Sequence, residues 1–140
     1  MDTITKYELR RRIAETTLSR SLQGIRPGCT QDFSGTNCDS DLTKAYDDEA
    51  SALRALANYN TDVSFFSGRA GHIARVEEYW VEKAVYAVDE DGDREWIDGG
   101  DIFAYSAMPD ELEWDGDIYR WDEKWNAYIF VETGDSDEEV

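Results

Sequence analysis

Short acidic turns cut the second half of this 140-residue chain into runs of β-branched and aromatic residues. Residues 73–88, from Ile73 through Trp80 to Val88, form the longest run. Asp89-Glu-Asp-Gly-Asp93 closes it, and Asp91-Gly92 is a strong hairpin signal. Residues 95–97 and 102–107 continue as strand, with Asp98-Gly-Gly-Asp101 between them as a bulge or second turn. Pro109 ends that run. Residues 112–114 and 118–121 flank Asp115-Gly-Asp117, and 125–132 return after Asp122-Glu-Lys124. Turns this frequent leave room for strands of hairpin length, so the spacing predicts an antiparallel meander.

The first half is organised differently. Over residues 5–19, Tyr7, Leu9, Arg11 and Ile13 alternate with Lys6, Glu8, Arg10 and Arg12, as a strand requires. Thr5-x-x-Glu8 also fits a capping box, and Ala14, Leu18 and Leu22 fall at helical spacing. The alternation, with Thr16-Thr17, favours the strand. Residues 24–43, punctuated by Gly24, Pro27, Gly28, Ser34, Gly35 and Asn37, read as a loop anchored by Phe33. A helix follows, with Asp47 as N-cap, Asp48 and Glu49 in its first turn, and a stripe of Ala50, Leu53, Leu56 and Ala57. It fades near Asn58–Asn60. Ser67-Gly68 and Gly71-His72 read as a loop before the next strand. The expected fold is α+β, one helix on a twisted antiparallel sheet in the order strand, loop, helix, meander. Residues 1–133 are expected to form a single domain and 134–140 a disordered acidic tail.

The charge is strongly segregated. Residues 1–75 hold ten acids and ten bases, whereas residues 76–140 hold 22 acids against Lys83, Arg94, Arg120 and Lys124, which accounts for the whole net charge of −18. Five Trp and eight Tyr argue against disorder, since acidic disordered segments lack large apolar groups. No apolar run approaches the ~20 residues needed to span a bilayer, and the N-terminus shows no signal-peptide pattern. A bacterial cytoplasmic location is expected. Cys29 and Cys38 match no zinc spacing, and free thiols are the expected state.

Few residues invite catalysis. Counting an EF-hand from Asp89 puts Arg94 where glycine is required and Gly100 where glutamate is required, so a solvated turn is the better reading. His72 is accompanied by no nucleophile motif. Arg10-Arg11-Arg12 suggests nucleic acid, but the net charge repels phosphate. The arginines are instead expected to pair across strands with Glu77, Glu78 or Glu82, at ~0.2–1 kcal/mol each. Trp96, Trp114, Trp121 and Trp125 fit two roles, filling sheet faces or supplying interface hot spots beside acids. No enzyme activity, metal or cofactor is expected.

Four segments resemble small acidic proteins of bacterial phages and mobile elements. They are Thr5-Lys-Tyr-Glu-Leu-Arg-Arg-Arg-Ile13, the helix Tyr46-Asp-Asp-Glu-Ala-Ser-Ala-Leu-Arg-Ala-Leu56, Val76-Glu-Glu-Tyr-Trp-Val81 and Trp96-Ile-Asp-Gly-Gly-Asp-Ile102. The resemblance covers residues 5–106 and excludes the Trp-rich C-terminal hairpin. Some proteins of this type are anti-CRISPR proteins that occupy basic channels of RNA-guided nucleases; others are antirestriction DNA mimics. The charge segregation and the lack of a catalytic constellation point to a non-enzymatic inhibitor of a basic nucleic-acid-binding protein, without direct contact to nucleic acid or membrane; the resemblance adds an RNA-guided nuclease as one such target.

From Asp89 to Asp117 there are twelve acids and one base, Arg94. Same-face side chains on a strand recur every ~6.6 Å, so three such strands would approach the charge density of duplex DNA. The candidate surface comprises Glu77, Glu78 and Glu82 on the long strand and Asp89, Glu90, Asp91 and Asp93 in its turn. Glu95, Trp96, Asp98 and Asp101 follow on the returning strand, and Asp110, Glu111, Glu113, Asp115 and Asp117 lie beyond Pro109. Two other readings stay open. Aspartate excess and scarce lysine suit adaptation to high salt, and the acidic loops could hold divalent cations.

Overall fold

The alternation at the start of the chain prevails over the capping-box pattern. In the computed structural model, which describes residues 2–17, 22, 24–31, 33, 40–68 and 71–133, β1 runs over Asp2–Thr17. A short 3-10 turn follows at Cys29–Gln31. The expected loop stops short of residue 43, because β2, Asp41–Tyr46, pairs antiparallel with β1 from Tyr7↔Tyr46 to Arg11↔Asp41. Five of its six residues are exposed. An edge strand held by its backbone ladder needs no apolar face, so it leaves little periodic signal.

The helix α1, Glu49–Leu56, begins one residue later than expected. Asp48, not Asp47, is the N-cap: its carboxylate accepts from Ser51 N at 2.8 Å and from Ser51 Oγ at 2.9 Å. These bonds hold the Asp48 carboxyl below its usual range, the backbone bond contributing most. Asp47 instead pairs with Lys6. The buried stripe is Ala52 and Leu56, while Ala50 and Ala57 are exposed. Alanine and leucine surround this helix on most sides, so spacing alone could not choose the buried face.

Residues 67–68 and 71–72 belong to a hairpin, which corrects the loop expected there. β3, Asp62–Gly68, pairs antiparallel with β4, Gly71–Val88, from Asp62↔Glu77 to Gly68↔Gly71. β5, Arg94–Tyr105, returns along β4 as one strand whose register slips at three places. The bulge reading of residues 98–101 therefore holds. The sheet order is β2-β1-β4-β3, with β5 also paired to β4. Ser106 ties the end of β5 to β4: its N donates to Tyr79 O at 2.8 Å, and its hydroxyl accepts from Tyr79 N at 3.0 Å.

Beyond Pro109, the chain does not extend this sheet. β6 (Glu111–Trp114), β7 (Asp117–Asp122) and β8 (Ala127–Thr133) form a separate three-stranded antiparallel sheet. Proline cannot donate to a ladder, so the run is broken before β6 starts. Trp125 lies in the β7–β8 connection, one turn before the strand in which it was expected. With 66% strand and a single short helix among the described residues, the fold is α+β in outline, as expected, but mainly antiparallel β.

Contacts divide the chain into two compact units. The first contains Met1–Arg12, Asp39–Asn60 and Glu78–Ala107, around Leu9, Ala52, Leu56 and Val81. The second contains Ile13–Cys38, Thr61–Glu77 and Met108–Val140. Its core includes Ile25, Cys29, Phe33, Val76, Leu112, Trp114 and Tyr128, so Phe33 is the anchor its sequence suggested. Cys29 is buried; Cys38 and the tail 134–140 lie outside the described residues. No helix among the described residues is long and apolar enough to cross a membrane.

Candidate functional site

Asp89 organises the acidic turn of the first unit. Its Oδ1 accepts from Asp91 N and Asp93 N, both at 2.9 Å. Its backbone N donates to Asp93 O at 3.0 Å, and its carbonyl accepts from Gly92 N at 3.1 Å. Gly92 supplies the left-handed conformation, φ +85°, that the turn requires. The turn is thus tied internally, and Glu90, Asp91 and Asp93 remain exposed. Carboxylate oxygens of Asp89, Asp91 and Asp93 lie within 4.8 Å of one another.

β5 carries the charge away from the turn. Glu95, Trp96, Ile97, Asp98 and Asp101 are all exposed, and Asp98 Oδ1 accepts from Gly99 N at 2.8 Å. A Cβ on Gly99 would lie 2.5 Å from Lys83 O and 2.9 Å from Ala84 Cα. Only glycine allows this approach of β5 to β4, at φ +143°. Trp96 Nε1 lies 3.2 Å from the same position, so the indole lies over the glycine. Cavities of 390 Å³, lined by Asp2, Val88, Asp89 and Glu90, and 180 Å³, lined by Ala87, Asp89, Asp93, Arg94 and Glu95, lie at the turn end of the hairpin. Residues 89–101 hold seven acids against Arg94, and among the described residues none of the seven forms a salt bridge.

The structure gathers Asp89, Glu90, Asp91, Asp93, Glu95, Trp96, Asp98 and Asp101 on one hairpin, but not the remaining candidates. Glu78 is fully buried and cannot meet a partner at the surface. Glu82 is half-buried and accepts from Trp80 Nε1 at 2.7 Å. Glu77 belongs to the second unit, and both Glu77 and Glu78 are already engaged with neighbours. Asp110, Glu111, Glu113, Asp115 and Asp117 also belong to the second unit, on or beside β6 and β7. There Glu111 binds Arg120 at 3.0 Å, and Asp115 lies 4.0 Å from His72 Nε2. The single acidic sheet expected from Glu77 to Asp117 is therefore a compact hairpin and a separate group.

Arg10 and Arg12 also differ from expectation. Arg10 binds Glu8 at 2.6 Å and Ser40 Oγ at 2.6 Å. Glu8 lies two residues along the same strand, on the same face. Arg12 stacks over Trp80 at 5.2 Å. Tyr86 donates to the buried Glu8, and burial first, then this bond, pushes its hydroxyl up to about 12. These contacts hold the basic strand within the first unit, through Glu8 on β1 itself and Trp80 on β4.

The tryptophans divide by burial. Trp114 is buried and Trp121 packs against the same core, whereas Trp96 and Trp125 are 57% and 67% exposed. Sequence reasoning also missed the exposed Ile129, Phe130 and Val131 on β8. Their consecutive placement was the available signal, because a half-buried strand alternates. No protein-family model, curated protein or solved structure matches this chain.

Proposed function

We propose that the β4–β5 hairpin is a non-enzymatic docking surface for the cationic nucleic-acid-binding face of a DNA- or RNA-handling protein, with an RNA-guided nuclease as the working target. The observation that carries this reading is the run of seven acids against one base on an internally tied hairpin, with none of the seven in a salt bridge among the described residues. Its carboxylates can satisfy Arg forks in the bidentate geometry those forks use for phosphate. A turn already closed by its own hydrogen bonds loses little conformational entropy on binding. Trp96 and Ile97, exposed beside the acids, offer the apolar contact that charge alone lacks. Such a surface would exclude DNA or guide RNA from the groove it fills.

Purified RNA-guided nucleases and restriction endonucleases, assayed for binding and cleavage over a salt series, test the proposal. It expects stoichiometric binding that weakens steeply with salt and competes with nucleic acid. Binding unchanged by lysine at Asp91, Asp93 and Asp98 together would remove this surface from consideration. The proximity of Asp89, Asp91 and Asp93 carboxylates supports a second reading, a divalent-cation site. Titration calorimetry with calcium, magnesium and manganese decides it: stoichiometric micromolar binding would replace the docking role with a metal-binding one.

A further inference from the structure

We propose that β8 is a self-pairing edge through which two copies of this chain associate about a two-fold axis at Ile129. β8 is the terminal strand of the order β6-β7-β8, so one of its edges has no strand partner among the described residues. Ile129, Phe130 and Val131 are 42%, 53% and 37% exposed. In a chain of net charge −18, residues 127–133 contain one charged group, Glu132.

The ladder shows which backbone groups are open. The Asp115-Gly116 turn has two positive φ values, 54° and 83°, the geometry that closes a two-residue hairpin on a hydrogen-bonded pair, here Trp114↔Asp117. Pairs then alternate along the strand, so Asp117, Tyr119 and Trp121 turn their backbone groups toward β6. Trp121 N follows this rule by donating to Asp110 O at 2.9 Å. Arg120 and Asp122 face β8 and bond Ile129 and Ala127. Tyr128 and Phe130 therefore direct their N–H and C=O groups away from β7, to the open edge.

An antiparallel second copy centred on Ile129 matches those groups. Tyr128 meets the partner's Phe130 and Phe130 meets the partner's Tyr128, giving four hydrogen bonds. Ile129 stands opposite the partner's Ile129, and Ala127 opposite the partner's Val131. No carboxylate faces another, and like charges directly opposite would destabilise the pair. The register slip beside Val131 ends the open edge, so the seam is short and closes as a dimer. A seam this small lies below the ~1,200 Å² of a stable interface, so association is weak. Repulsion between two acidic copies opposes it, and salt screens that repulsion.

Sedimentation velocity of the full chain across the micromolar range, at low and high sodium chloride, tests the proposal. The dimer fraction should rise with protein concentration and with salt. Ile129→Lys, at an exposed position, should weaken association at least tenfold while circular dichroism stays unchanged. Should that variant fold poorly, Ile129→Cys decides: a non-hydrogen-bonded pair brings Cα atoms to ~4.5 Å, within disulfide reach, so mild oxidation should cross-link it. The wild-type chain and Phe130→Cys should cross-link more slowly. A chain monomeric at both salts, which would leave the edge to a foreign strand, overturns the proposal. So does Ile129→Lys dimerising like the wild type, or Ile129→Cys cross-linking no faster than Phe130→Cys.

Discussion

The hairpins β4–β5 and β7–β8 share an architecture and present opposite chemistry. In the first, Asp89 holds the turn through two backbone bonds, and the other acids of the turn are directed to water. In the second, Asp122 plays the same part, its Oδ1 accepting from Lys124 N at 2.9 Å and Trp125 N at 3.2 Å. There, however, the exposed groups include the large apolar side chains Trp125, Ile129, Phe130 and Val131, beside Glu123, Lys124 and Glu132. One aspartate device thus supports a charged tip in one unit and an apolar edge in the other. The two surfaces should respond oppositely to salt: binding through the charged tip weakens, and pairing through the apolar edge strengthens.

Lysine at Asp91, Asp93 and Asp98 together should break the comparison most severely. Affinity for a cationic partner is expected to fall by about 100-fold or more, read by interferometry, while β8 association does not weaken. Gly99→Ala comes next. The added Cβ must displace the β4 backbone, so chemical denaturation should show a loss of ~2 kcal/mol or more. Gly116→Ala in the other unit meets open space and bears only the strain of φ +83°, so ~1 kcal/mol is expected. Ile129→Lys sharpens the contrast from the other side: a tenfold loss of dimerisation, ~1.4 kcal/mol, with target binding unaffected.

The smallest effect is graded with pH. Tyr86 ionises near 12 in the folded protein against an ordinary value of 10, because burial and Glu8 disfavour phenolate. The folded state therefore retains the proton more strongly than the unfolded chain. This contribution is fully present below pH 10 and is lost as pH rises toward 12. Tyr128, whose hydroxyl donates to Pro109 O at 2.8 Å, is raised in the same direction by burial. Thermal melts at stepwise alkaline pH should show falling stability in this window, and Tyr86→Phe should lessen the slope.

The strand β4 and the turns at Asp91-Gly92 and Asp115-Gly116 were legible because local rules govern them. β-Branched and aromatic residues favour a pleated strand, and positive φ favours glycine or aspartate. β2 and β3 were not legible. Asp41–Tyr46 buries almost nothing, and the adjacent Phe65 and Phe66 break the alternation by which Val63 would have marked a strand. The candidate site was legible as a run of acids, but not as a surface. Nothing local separates Glu78, fully buried, from Glu77, half-buried one residue before it. Strand parity says only that they face opposite ways.

Composition and spacing therefore dictated the hairpins, the position of their turns and the concentration of negative charge after residue 76, since each follows from a few neighbouring residues. Folding decided the rest. It divided one expected sheet into sheets of five and three strands, chose Ala52 and Leu56 as the buried stripe of α1, and buried Glu78 while leaving the acids of residues 89–101 exposed. The physical reason is the range of the forces. Turn and strand preferences act over two to four residues, whereas burial and ladder pairing depend on which distant segment arrives at each face.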